Sequence, residues 1–180
     1  MSVDSSPDGA APRHHRIARA AGVVLLVGSA VFAVWAGWSW LRAGDEAAAY
    51  ADTREEVLRI GEQGIANLTT IDYHRPDEGL NRWIDSATGA LRDSLVQGRE
   101  ANRKQVEAGK SVLAGKVVDA AVTDLDRAAG TGRVIAAVEI TVTPEGGQPV
   151  VKRNRFEAGL SRTGSGWMLS SLRAVEVGTS

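Results

Sequence analysis

The sequence predicts an α+β domain, helices packed on one face of a curved antiparallel sheet, carried on a single N-terminal transmembrane helix. Three observations predict it. Ala20 to Leu41 is a run of 22 residues without a charge. From Asp45 to about Glu107 the apolar residues recur at helical spacing, and from Lys116 onward they recur every second residue, the period of a half-buried strand. Helices first and strands after is the order of an α+β domain rather than of alternating βαβ units.

The uncharged run would extend about 33 Å as a helix at about 1.5 Å per residue, enough to cross a hydrocarbon core of about 30 Å. The tail before it, 1–16, is rich in Ser, Pro, Gly and Asp and ends in Arg13, His14, His15 and Arg16, with Arg19 one turn further on. The far flank carries Arg42 followed by Asp45 and Glu46. Positive residues hold their side of a first span in the cytoplasm, so the tail is placed inside and the domain outside, as in a single-pass plasma membrane protein. Trp35, Trp38 and Trp40 cluster at the outer end of the run, where amphipathic rings favour the headgroup layer. Ala47 to Ala49 would suit a signal-peptide cut, but the apolar region of such peptides runs only about 7 to 15 residues. The organisation expected is a disordered tail (1–16), a transmembrane helix (17–42), a linker with the first soluble helix (43–69), and the rest of the domain (70–180). Arg16, Arg19, Trp35, Trp38, Trp40 and Arg42 are its membrane-interface residues.

In the first soluble helix, Tyr50, Val57, Gly61, Gly64 and Leu68, with Leu58 and Ile65 beside them, form one stripe. Two glycines there weaken the helix by about 1 kcal/mol each relative to alanine, so the stripe is expected to meet a neighbour at close approach. A coiled-coil seam is the competing reading, but the stripe covers under three heptads. Asn67-Leu68-Thr69 also matches the glycosylation pattern. Pro76 closes this region, and Asp77 is placed to cap a second helix carrying Leu80, Trp83, Ile84 and Ala87. Gly89 breaks it, and a third helix is expected from about Ala90 to Glu107, with Leu91, Leu95 and Val96 on one side.

Four strands follow. Val118, Ala120 and Val122 alternate with Asp119 and Thr123; Val134, Ala136, Val138, Ile140 and Val142 share one side of the second strand. After the turn Glu145-Gly146-Gly147-Gln148 come Phe156, Ala158 and Leu160, opposite Arg153, Arg155 and Glu157. The last strand, Trp167 to about Val177, puts Leu169 and Leu172 at opposite parity, which calls for a bulge or for burial on both sides. Short connections make the sheet an antiparallel meander.

The chain resembles the actinobacterial Mce-associated membrane proteins (Mce, mammalian cell entry). The resemblance rests on the basic tail and span, Leu68-Thr69-Thr70-Ile71-Asp72-Tyr73, the junction Ala87-Thr88-Gly89, the strand Val117-Val118-Asp119-Ala120-Ala121-Val122 and the closing Gly166-Trp167-Met168-Leu169-Ser170-Ser171-Leu172. It implies an NTF2-like cone of three helices on a four-stranded sheet, as in VirB8-like secretion components. It also implies a role in stabilising or assisting Mce complexes, which import lipids such as sterols and fatty acids across the envelope. It carries no catalytic residues and no cofactor.

Composition narrows the chemistry. The formal charge is −1, and beyond Leu41 there are 18 basic and 20 acidic residues, no basis for binding nucleic acid. There is no cysteine, so no thiol nucleophile and no zinc-thiolate site. Two of the three histidines, His14 and His15, lie in the tail, leaving no metal-ligand spacing, and G-x-S-x-G is absent. The glycine pairs at Gly130-Thr131-Gly132 and Gly164-Ser165-Gly166 lie in strand connections and precede no helix. Asp72, Tyr73 and His74 are the one ionisable cluster that a pocket enzyme of NTF2-like form would use. Neighbours on an extended segment point to opposite sides, and Pro76 follows closely, so Asp72 is read as a turn residue and His74 as exposed.

Two further groups bear on binding. Lys152, Arg153 and Arg155, beside Arg162, form a basic strand edge, either a solvated face that blocks aggregation or a docking patch for an acidic surface or lipid headgroups. Trp83 and Trp167 are core residues by default and lipid-facing walls in the alternative. Three readings stand: a non-enzymatic accessory subunit for an envelope lipid-transport complex, with a VirB8-like secretion scaffold as its variant; a lipid-binding cone; and a pocket enzyme around Asp72 and Tyr73.

Overall fold

The computed structural model describes residues 46–175. The tail, the apolar run, its arginine and tryptophan flanks and the last strand's extension to Val177 lie outside the described residues. Among the described residues no helix is long and apolar enough to cross a membrane. The chain divides into two compact units between Ala48 and Ala49; the folded domain is the second.

Helix α1 (46–68) buries Val57, Gly61, Gly64 and Ile65, the stripe expected from spacing. Tyr50 departs from it at 45% exposure, because the helix meets the sheet only from Val57, whose side chain lies beside Gly132. The two glycines sit where side chains of the sheet fill the space a Cβ would take. A Cβ on Gly61 would stand 2.9 Å from Val134, and one on Gly64 would overlap Leu169. The helix ends at Thr69, whose hydroxyl donates to Ile65 O (2.8 Å).

Strand β1 (Ile71–Asp72) pairs with β2, Ile71 opposite Leu113 and Asp72 opposite Val112. The sheet therefore has five strands rather than four, and two residues are too few for a period-two signal. Helix α2 (Pro76–Asp85) begins on Pro76, not after it, with Arg75 at the cap position and Asp77 in the first turn. Proline is at home there because the amide it lacks would have no partner. Leu80 is buried, and Gly79 lies against Ile71.

The expected third helix is two, α3 (Gly89–Gln97) and α4 (Arg99–Gly109). They break at Gly98, whose φ and ψ of −81° and 0° leave the helical well. Between α2 and α3 the chain pairs with the sheet's last strand: Thr88 N–H donates to Leu169 O (2.7 Å) and Leu169 N–H to Ser86 O (3.1 Å). The Ala87-Thr88-Gly89 junction thus covers an edge that would otherwise be open. Arg99 ties α4 to α2 through Asp77 (2.9 Å) and Asn81 (2.7 Å). Both charges are substantially exposed, so Arg99→Ala is expected to cost no more than about 1 kcal/mol. Most of that small effect should vanish in high salt, as denaturation at two ionic strengths would show.

Strands β2 (Ser111–Asp126), β3 (Thr131–Pro144), β4 (Val150–Thr163) and β5 (Gly166–Ala174) complete a meander in the order β1-β2-β3-β4-β5. Val134, Ala136, Val138, Ile140, Ala158 and Leu160 are buried on its inner face, as their alternation predicts. β2 begins earlier than expected and carries a bulge between Val117 and Asp119. The extra residue flips parity, so Val117 and not Val118 packs inward, and Val118 is 57% exposed. β2 shifts register again between Val122 and Asp124, and a further bulge, opposite Gly159 and Leu160, inserts Ser170 between the residues that pair with them, Ser171 and Leu169. Leu169 and Leu172 thereby both pack on the core. This is the bulge their parity called for.

Candidate functional site

The inner face of the sheet is not filled to its end. Between α4 and the sheet lies a cavity of about 530 Å³. Its floor is Leu68, Ile71, Leu113, Ile140, Phe156 and Leu172, contributed by the end of α1 and by all five strands. Trp83 of α2 forms part of the wall, its indole N–H donating to Thr70 O (3.3 Å). Across from the floor, α4 presents Asn102, Gln105 and Val106. Among the described residues no Asp, Glu, Lys, Arg or His lines the cavity. Trp167, by contrast, is 5% exposed in the core and takes no part in the lining.

The ionisable cluster noted in the sequence stands outside this cavity. Asp72 accepts the backbone N–H of His74 (2.9 Å) and its ring Nδ1–H (2.8 Å), and the Tyr73 and His74 rings lie 3.9 Å apart. The three residues do come together, contrary to the extended-segment argument, because the chain turns after β1; they do so in a solvated turn. The His74 amide, then its ring, hold the Asp72 carboxyl below the usual aspartate range. Desolvation and then the Glu145 charge raise the Tyr73 phenol, which keeps it protonated and is the wrong direction for a base. Glu145 is pinned to Lys110 (2.9 Å), and its backbone N–H donates to Lys110 O (2.8 Å), latching the β3–β4 turn to the end of α4.

Asp72→Asn supplies a test with a definite sign. A carboxyl whose pKa is depressed on folding stabilises the fold above its unfolded value, about 3.9, and loses that contribution as pH falls through the lower folded value. The variant is expected to be slightly less stable at neutral pH and to lose less stability than the natural chain on acidification below about pH 4. Thermal melts across that range check it.

The basic residues of β4 do not form one patch. Pairing with β5 stops at Phe156 opposite Ala174, with Val175 N–H donating to Arg155 O (2.9 Å), so Val150 to Asn154 lie beyond the described part of β5. Lys152 stands opposite Ile140 on the inner face, while Arg153 is on the outer face with Glu139 (2.8 Å), and Arg155 shares that side. Arg162 is not beside them: it lies seven residues past Arg155, roughly 23 Å along a strand, where its N–H donates to Gly130 O. Among the described residues no group of three or more His, Asp or Glu could hold a metal ion. Of this cavity the sequence offered only Trp83 as a possible wall of a lipid-binding cone, because the rest of its lining comes from α1, α4 and all five strands.

The domain is thus an α+β fold, an antiparallel meander bent by bulges with helices closing its inner face over the cavity. The chain is similar to the periplasmic domain of DotI (TM-score 0.57, 15% identity, covering 67% of this chain and 94% of that one). It is likewise similar to an IcmL-like type IV secretion system protein from Legionella pneumophila (0.56, 11%, 71% and 95%). CagV, a VirB8 homolog from Helicobacter pylori, aligns at 0.51 and 7%, over 66% and 95%. At such identities the likeness is one of fold. The sequence itself belongs to the family described as Uncharacterized protein Rv1363c/MT1408-like, which matches residues 14–171. It is 31% identical over 165 residues to Rv1363c of Mycobacterium tuberculosis, 81% of this chain but 60% of that protein. The chain thus spans 60% of the length of the relative it matches.

Proposed function

We propose that this protein is a membrane-anchored accessory domain without chemistry of its own, held outside the cytoplasmic membrane, that stabilises an Mce-type lipid-import complex. The observation that carries the non-enzymatic part is the separation of cavity and chemistry. The cavity has no titratable residue in its walls, and Asp72, Tyr73 and His74 gather in an exposed turn held by their own hydrogen bonds. A general base must stand within reach of a bound substrate, and among the described residues none lines the cavity. The anchored placement rests on the uncharged run Ala20 to Leu41 and its arginine flanks. The Mce assignment rests on the ordered motifs given above, two of which have structural roles in the fold. Thr70 and Thr69 make the α1–β1 junction, and Ala87 to Gly89 cover the edge of β5.

Crosslinking in native membranes followed by purification of the tagged full chain tests this reading. Lipid-import subunits are expected to copurify, and deletion is expected to lower their levels and lipid uptake. A chain that purifies alone, and whose loss changes neither, would defeat the proposal. The fold likeness to secretion components favours one second reading, a VirB8-like scaffold, and copurification of a secretion apparatus in the same experiment would select it.

A further inference from the structure

We infer that the cavity between α4 and the sheet is a binding site for an uncharged amphiphile, with the apolar body on the sheet and a hydroxyl, ester or amide head on Asn102 and Gln105. This is independent of the scaffold reading, since either can hold without the other. Size comes first: about 530 Å³ falls inside the range of roughly 300–1,000 Å³ for small-molecule sites. Next comes the sidedness of the lining. The sheet offers mainly apolar side chains such as Leu113, Ile140 and Phe156, with Ser111 at the start of β2 as its polar exception, whereas α4 offers two primary amides one turn apart, which positions i and i+3 place on a common face. Primary amides both donate and accept, so they can satisfy a neutral head of either polarity. They are also an unusual choice opposite leucine and phenylalanine, where a helix that merely closed a core would present apolar residues.

The charge inventory then sets the ligand class. A carboxylate or phosphate buried here would need a cation, and the cations of α4 are engaged elsewhere. Arg99 is held by Asp77 (2.9 Å), and Arg103 lies between Asp77 (3.8 Å) and Glu107 (3.4 Å). Lys104 turns to Glu100 (3.9 Å). Lys152, cross-strand from Ile140, is exposed and outside the lining. A cationic head finds no carboxylate in the walls either. What remains is a neutral head on an apolar body.

The experiment uses the full chain in phosphatidylcholine nanodiscs with two photoreactive probes that differ only in the head, a diazirine-bearing hexadecanol and the matching hexadecanoate. Labelled residues are mapped by mass spectrometry. Expected is saturable labelling of the cavity residues by the alcohol, competed by unlabelled hexadecanol and exceeding labelling by the acid about tenfold, the effect of roughly 1.4 kcal/mol. Val106→Trp, which fills the cavity from the half-buried side of α4, should remove that labelling while leaving the melting temperature near that of the natural chain. Should the tryptophan disturb folding, Gln105→Leu serves instead: it removes a head partner and is expected to abolish the preference for alcohol over acid. Equal or stronger labelling by the acid, label confined to residues outside the cavity, or a folded Val106→Trp that labels as the natural chain does would each overturn the inference. So would crosslinks between two copies of the chain across this face, which would make it a protein interface.

Discussion

Replacing Gly64 by valine is expected to destabilise the domain, and shortening Leu169 to alanine in the same chain is expected to return part of the loss. A Cβ at Gly64 overlaps the end of the Leu169 side chain, whose Cδ2 and Cγ would stand at 3.1 and 3.2 Å. Leu169 cannot swing aside. It is 1% exposed, and its strand is held by the pairing of Leu169 with Ser86 and Thr88. Overpacking of this kind costs about 1–3 kcal/mol, against a gain of roughly a few tenths of a kcal/mol that valine in place of a helical glycine would bring in open space. Leu169→Ala alone leaves a cavity and costs about 2–5 kcal/mol. In the double variant the valine methyls occupy what the leucine vacated. The two losses should therefore sum to more than the double loss, by a coupling of about 0.5–3 kcal/mol. Urea denaturation with an unchanged slope reads this directly, and strictly additive losses would show that α1 does not rest on β5 at this point.

That contact also marks what the sequence can convey. Glycine in an apolar helical stripe predicted close approach, and Gly61 and Gly64 meet Val134 and Leu169 because the same two positions lie on the buried side throughout the helix. The inner residues of β3 and β4 were legible for the same reason, since each run keeps one period over many residues. Legibility failed where the period is interrupted. The bulge after Val117 moved Val118 to the outside, and only the parity conflict between Leu169 and Leu172 announced the bulge at Ser170. Gly98, where α3 and α4 divide, lies inside the single helix expected from about Ala90 to Glu107, and β1 is shorter than any pattern. The cavity is the extreme case: Trp83 stood out as a candidate wall, but Asn102 and Leu113 carry no signal in the chain, and only the topology brings them beside Leu68, Ile140 and Leu172. Asp72 to His74, the most chemical-looking stretch of the sequence, serves as a turn.

The second large effect is expected at Gly115. On general grounds alanine in place of a glycine at an unstrained strand position stabilises by about 0.4–1 kcal/mol through the unfolded chain, and Gly115 has no positive φ. The local geometry reverses the sign. A Cβ there would overlap the Thr69 hydroxyl and stand 2.6 Å from Thr69 Cβ and 3.2 Å from its carbonyl oxygen. Thr69 is buried and fixed, its N–H and hydroxyl both donating to Ile65 O (3.0 and 2.8 Å). The Gly115 N–H in turn donates to Thr70 Oγ1 (3.1 Å), continuing the attachment of α1 to β2 where the pairing of Ile71 with Leu113 ends. Gly115→Ala should thus cost about 1–3 kcal/mol, and Gly115→Val more. Gly164→Ala, where a Cβ meets nothing within 4 Å and φ is not positive, should keep or raise stability by up to about 1 kcal/mol in the same thermal melts. Because Thr69, Ile71 and Leu113 all line the cavity, Gly115→Ala should also lower hexadecanol labelling while Gly164→Ala does not. A Gly115→Ala chain at least as stable as the natural one would mean that the α1–β1 junction yields, and that the cavity wall hung on it is softer than its contacts require.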